Sequence, residues 1–185
     1  MAYLERIFET LDEEVSISNL PNAYEMPSIE GNIEFKNVVF KYEDEEREIL
    51  KNVSFKVNAG ETIALVGPTG AGKTTIINLL SRFYDVTKGA VLLGGKDVRK
   101  LSQSFLHEQI GIVPQKSVLF TGTIADNIKW GKEDATRDEI VEALKNAQAY
   151  EFVSKMEKGI DSHIYEGGKN FSGGQKQRLT IARAL

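Results

Sequence analysis

Residues 67–74, Gly67-Pro68-Thr69-Gly70-Ala71-Gly72-Lys73-Thr74, fit G-x-x-x-x-G-K-[ST] without a mismatch, and Thr75 follows them. This phosphate-binding loop restricts the fold more tightly than any other stretch, because it works only between a buried strand and a helix that starts on it. Both flanks are present. Thr62, Ile63, Ala64, Leu65 and Val66 form an apolar, β-branched run that reads as a buried strand. Ile76, Ile77, Leu79, Leu80 and Phe83 recur at helical spacing. An α/β fold is expected around them.

The chemistry explains the residue types. Gly67, Gly70 and Gly72 are expected to take backbone dihedrals barred to other residues and to bring N–H groups around an anion. The following helix offers unpaired N–H groups and the positive end of its dipole. Lys73 would reach the β- and γ-phosphates as a point charge, and the Thr74 hydroxyl would face a Mg²⁺ bridging them. A nucleoside triphosphate is the expected ligand.

The 185 residues, with 41% apolar and 27% charged content, suit a soluble globular domain with a real core. A net charge of −4 argues against a general nucleic-acid-binding surface. With no cysteine, disulfides and thiolate metal sites are excluded. No apolar run approaches the ~20 residues that span a bilayer. Any membrane-spanning part is therefore expected elsewhere.

Along the chain, Leu4, Ile7, Phe8 and Leu11 predict a short amphipathic helix, packed on its own domain or trailing from an upstream one. Residues 13–30, with Pro21 and Pro27, read as a linker. Runs over 33–42 and 49–57 predict an antiparallel hairpin with an acidic, solvated tip. Tyr42 ends the first strand and serves either packing or stacking on a base. A short strand is expected over 89–93, turned by Gly94 and Gly95. Another buried strand, 110–113, leads to Gln115, which either faces a ligand at a sheet end or caps a turn. Helices are expected over 136–149 and 151–156. Finally Ser172 reads as a helix N-cap with Gly173 and Gly174 behind it, either a second anion site or an ordinary cap.

With these motifs in hand, the chain resembles the nucleotide-binding domain of ATP-binding-cassette transporters, most closely exporters of the multidrug and lipid kind. The loop 67–74 matches the family's Walker A motif, Gln115 its Q-loop and Phe171-Ser172-Gly173-Gly174-Gln175 its signature. Tyr42 falls at the aromatic position that stacks on adenine, and Glu166 at the acidic position of the exporter X-loop. The resemblance implies an α/β, RecA-like P-loop NTPase core, an antiparallel β subdomain and an α-helical subdomain carrying the signature. It implies a linker over 1–28 after a transmembrane domain, then a nucleotide-binding domain over 29–185, divided into a core, 29–114, and a helical part, 115–185.

For function, it implies an ATPase with ATP and Mg²⁺ as cofactors. Tyr42, Gly67, Pro68, Thr69, Gly70, Ala71, Gly72, Lys73, Thr74 and Thr75 would hold the nucleotide, Thr74 and Gln115 the metal, and Gln115 and Lys73 would act in hydrolysis. Ser172, Gly173, Gly174 and Gln175 would close over ATP held by a second nucleotide-binding domain, identical or not. The partners are that domain and the transmembrane domain, with no nucleic acid, at the cytoplasmic face of the cell membrane.

Two departures stand out. Phe171 replaces the usual Leu, and no run of four apolar residues followed by Asp-Glu occurs, so the Walker B aspartate and catalytic glutamate are absent from these 185 residues. A non-hydrolysing nucleotide-binding fragment stays open on that ground. A non-transport ATPase of DNA repair or translation would carry long inserts, and none is visible.

Overall fold

The computed structural model describes Phe8, Asp12 and residues 16–43 and 45–185. Apart from Phe8 and Asp12, the expected N-terminal helix lies outside these. The chain divides into two compact units, Met1–Ile110 and Gly111–Leu185.

In the first unit, alternating apolar residues build β1 (Ile33–Phe40) and β2 (Leu50–Val57), the expected hairpin. With β3 (Lys88–Leu93) and β4 (Lys96–Asp97) they form a sheet of order β2-β1-β3-β4 with antiparallel neighbours. Phe35 faces the core, and a break in the ladder at Asn37, whose φ is 47°, returns Val38 and Phe40 to the same side, where Val91 joins them. Phe35 pairs with Phe55 across the ladder, their rings stacked at 4.6 Å. Helix α1 (Lys73–Leu80) adds Leu79 and helix α2 (Gln103–Gln109) adds Phe105 and Leu106 to the same cluster. Each such side chain, once buried, contributes roughly 1.5–3 kcal/mol.

Two expected strands form no ladder. Residues 62–66 and 110–113 pair with no strand among the described residues. Ile63, Val66 and Val113 are 49%, 93% and 41% exposed. A β-branched apolar run encodes burial between neighbours, and neighbours must supply its hydrogen bonds. The described residues offer these two runs none.

The stretch read as a linker holds no helix or strand over 16–30, yet it is not a loose tether. Tyr24 makes a parallel bridge to Leu101, donating its N–H to the Lys100 carbonyl at 3.1 Å and accepting from the Ser102 N–H at 3.1 Å. Arg82 donates to the Ser18 carbonyl (3.0 Å), and the Gln103 N–H donates to Asn19 Oδ1 (2.8 Å).

The second unit is mainly helical: α3 (Ile124–Lys129), α4 (Arg137–Asn146), α5 (Tyr150–Ser154) and α6 (Gly173–Ala184), with a two-residue pairing of β5 (Gly122–Thr123) and β6 (His163–Ile164). The expected helices over 136–149 and 151–156 appear as the shorter α4 and α5, separated at Gln148, whose φ of 56° is left-handed. Three helices start on reciprocal capping boxes, Thr123 with Asp126, Thr136 with Glu139 and Ser172 with Gln175. Ile124, Ile140, Leu144, Val153, Ile164 and Leu179 fill the core.

Candidate phosphate-binding site

Gly70 and Gly72 have φ of 82° and 83°, the left-handed conformation expected of them. Gly72 also packs closely, since a Cβ there would lie 2.7 Å from Leu50 Cδ2. Gly67 corrects the expectation: its φ is not left-handed, and its smallness serves a close approach, a Cβ there falling 3.2 Å from Ala71 Cβ. Gly72 is the N-cap of α1, and no side chain caps that helix. The first bond of the helix runs from the Ile76 N–H to the Gly72 carbonyl, so the N–H groups of Lys73, Thr74 and Thr75 lie in its uncapped first turn. No acidic residue stands there to compete with an anion. Pro68, Thr69, Gly70 and Ala71 are all exposed.

Lys73 Nζ donates to the Gly67 and Pro68 carbonyls, both at 2.8 Å. The ammonium is thus held across the loop, not extended. These bonds are already charge-assisted on the donor side, and phosphate oxygens would add an opposite charge on the acceptor side. Thr74 is exposed, whereas Thr75 is 4% exposed and its hydroxyl lies 3.2 Å from Tyr42 Oη. Tyr42 sits two residues beyond β1, half-buried, its ring meeting Phe40 at 4.8 Å and Tyr84 at 5.0 Å, both nearly perpendicular. The sheet therefore brings Tyr42 to the first turn of α1.

The remaining candidates lie in the second unit. Gln115 is exposed in a bend. Ser172 Oγ accepts from the Gln175 N–H at 3.3 Å, and Gln175 Oε1 accepts from the Ser172 N–H at 2.9 Å. A Cβ at Gly173 or Gly174 would meet nothing within 4 Å. Packing among the described residues does not require glycine there. Phe171 is 6% exposed and faces Phe152 in the core. Glu166 pairs with Lys169 at 3.2 Å.

Sequence reasoning passed over one polar knot that shapes the chain after Gln115. Asn127 is 2% exposed, and its amide donates to the Phe120 and Thr123 carbonyls and accepts from the Phe120 N–H. Arg183 donates to the Asn127 carbonyl and side chain and to the Val118 carbonyl. Neither residue carries a motif of its own; only the fold makes them partners.

An α/β unit with an uncapped, glycine-flanked helix start and a basic residue folded over it defines a phosphate-binding protein of the P-loop class. Comparison with known proteins narrows the class. Residues 50–185 match the family model described as ABC transporter. The chain is 47% identical over its whole length to the ATP-binding/permease protein YgaD of Bacillus subtilis, covering 32% of it. It is 42% identical over its whole length to the ATP-dependent lipid A-core flippase of Syntrophus aciditrophicus, covering 30% of it. Over 98% of the chain it is 44% identical to human ATP-binding cassette sub-family B member 6, covering 22% of that protein. Among solved structures, a bacterial Atm1-family ABC exporter with ATP bound matches with a TM-score of 0.91 and 42% identity, over 98% of this chain and 32% of that one. The chain belongs to the ABC transporter family and carries its nucleotide-binding fold. It spans at most about a third of the length of these relatives.

Proposed function

We propose that this chain is the ATP-binding domain of an ABC exporter, and that the intact protein hydrolyses ATP to ADP and phosphate to drive a substrate outward across a membrane. The observation that carries the reading is the exposed loop 67–71 leading into an uncapped helix start at 72–75, with Tyr42 beside Thr75. Its support is the match, along nearly the whole chain, to proteins named as a flippase and an exporter.

In this reading the backbone of 67–75 wraps the phosphates, Lys73 leaves the Gly67 and Pro68 carbonyls for the β- and γ-phosphates, and Tyr42 stacks on adenine. Lys73 also balances charge that develops on the transferred phosphoryl group. Mg²⁺ is an oxygen-seeking cation that takes one or two protein ligands beside phosphate oxygens and waters. Thr74, exposed in the uncapped first turn of α1, offers one such oxygen beside the phosphate loop. Thr74 and Gln115 would hold the ion, which when bound neutralises phosphate charge. Gln115 would also orient the attacking water.

Ser172, Gly173, Gly174 and Gln175 would close over ATP held by a second nucleotide-binding domain. The open space at Gly173 and Gly174 supports this, since bare backbone allows close approach from outside. Residues 1–28 would lead in from a transmembrane domain, 29–114 form the core and 115–185 the helical part. No helix among the described residues is long and apolar enough to cross a membrane. We place the domain at the cytoplasmic face, under a membrane part carried elsewhere in the protein.

The test is Lys73→Ala in the intact protein. We expect ATP binding and hydrolysis to be lost together. Near-normal ATP affinity in that variant would refute the assignment.

A further inference from the structure

The Thr75 hydroxyl has no free solvent face. The residue is 4% exposed in the first turn of α1, and its oxygen lies 3.2 Å from Tyr42 Oη, 33 residues away in sequence. Tyr42 is fixed on two more sides, since Phe40 meets its ring at 4.8 Å and 85° and Tyr84 at 5.0 Å and 86°. Such edge-to-face pairs are worth about 0.5–1.5 kcal/mol each beyond the area they bury. Phe40 is in turn tilted against Tyr84 at 5.7 Å, so the three rings form a closed cluster. The phenol hydroxyl is the only polar end of Tyr42, and it points at the helix that begins on the phosphate loop.

We propose that Thr75 is a positioning residue for the base: its hydroxyl, with the Phe40–Tyr84 ring pair, holds Tyr42 in the orientation that receives the purine, and so ties the base platform to the phosphate helix. This rests on the reading of the chain as an ATP-binding domain with Tyr42 against adenine. A ring anchored before binding loses no rotamer freedom on stacking, and preorganisation of this kind raises affinity without a new ligand contact.

The experiment measures Kd for ATP and for inorganic tripolyphosphate, which has the phosphates without the base, on the intact protein and its variants. Thr75→Val keeps the shape and removes the hydroxyl; Tyr42→Phe keeps the ring and removes the other end of the same bond. A net hydrogen bond of this kind corresponds to roughly a two- to tenfold change in Kd. We expect each variant to lose that factor on ATP beyond any loss on tripolyphosphate. The double variant is expected to lose no more than either alone, since both remove one interaction. Thr75→Ser is expected to restore the wild-type ratio.

Equal losses on the two ligands in Thr75→Val, or additive losses in the double variant, would overturn the role of Thr75. If Thr75→Val does not fold, Tyr42→Phe decides alone, and an unchanged ATP-to-tripolyphosphate ratio there overturns the proposal. Tyr42→Ala separates the two levels. An unchanged ratio in Tyr42→Ala would sink the assignment of Tyr42 to the base and the proposal with it, whereas a changed ratio beside an unaffected Thr75→Val would sink the proposal alone.

Discussion

Phe171 is the residue at which the chain departs from the family's signature, and its surroundings give it a packing role. The side chain is 6% exposed in the core of the helical unit and packs edge-on to Phe152 at 6.2 Å. The groups that would face a nucleotide begin one residue later. Phe171→Leu conserves apolar character and is expected to cost less than about 1.5 kcal/mol, whereas Phe171→Ala leaves a cavity worth roughly 3–5 kcal/mol. Urea unfolding of the intact protein would rank the two. A Leu variant as damaged as the Ala variant would contradict a core role. At this scale the loop was legible from the sequence because only glycine takes a φ near 80°, and Gly70 and Gly72 both do. Gly67 was not, because close approach to Ala71 leaves no trace in a one-dimensional pattern.

Elements were readable where their own residues decide them. Helix α4 starts on Thr136, whose side chain accepts from the Glu139 N–H while Glu139 bonds back to the Thr136 N–H. Its apolar residues face one core. Glu139 also pairs with Lys132, and these bonds, the lysine's first, bring its carboxyl down from an ordinary 4.5 to about 2. The folded-state value lies below the unfolded one, so the stabilisation is full above pH 4.5 and is lost as pH falls toward about 2. Glu139→Gln keeps a capping side chain without the titration. Acid unfolding followed by circular dichroism is therefore expected to show a smaller stability loss for this variant across that window. An unchanged acid dependence would contradict the coupling. The runs 62–66 and 110–113 misled for the opposite reason. Their composition records burial against other strands, and no amount of local pattern states whether those strands are at hand. The bonded course of residues 16–30 escaped for a related cause, since Tyr24, Ser18 and Asn19 find partners some 64–84 residues on.

For the whole molecule, family membership was legible because three short motifs, at Gly67–Thr74, Gln115 and Phe171–Gln175, keep their order along one chain. What the motifs left unstated is how the chain prepares the first site. The sheet delivers Tyr42 to α1, and Lys73 covers the loop through two carbonyl bonds. Both features belong to the first unit, so binding of the nucleotide is expected to depend on that unit's own residues. Ile63, Leu65 and Val66, which precede the loop in sequence, stand exposed and leave apolar surface in contact with water. The most direct measurement is calorimetric titration of the 185-residue chain with Mg²⁺-ATP, with circular dichroism on the same sample to establish folding. A folded chain that binds one ATP, with the heat abolished in Lys73→Ala, is the result expected. A folded chain that gives no binding heat would contradict the claim that the loop 67–75 and Tyr42 form a nucleotide site by themselves.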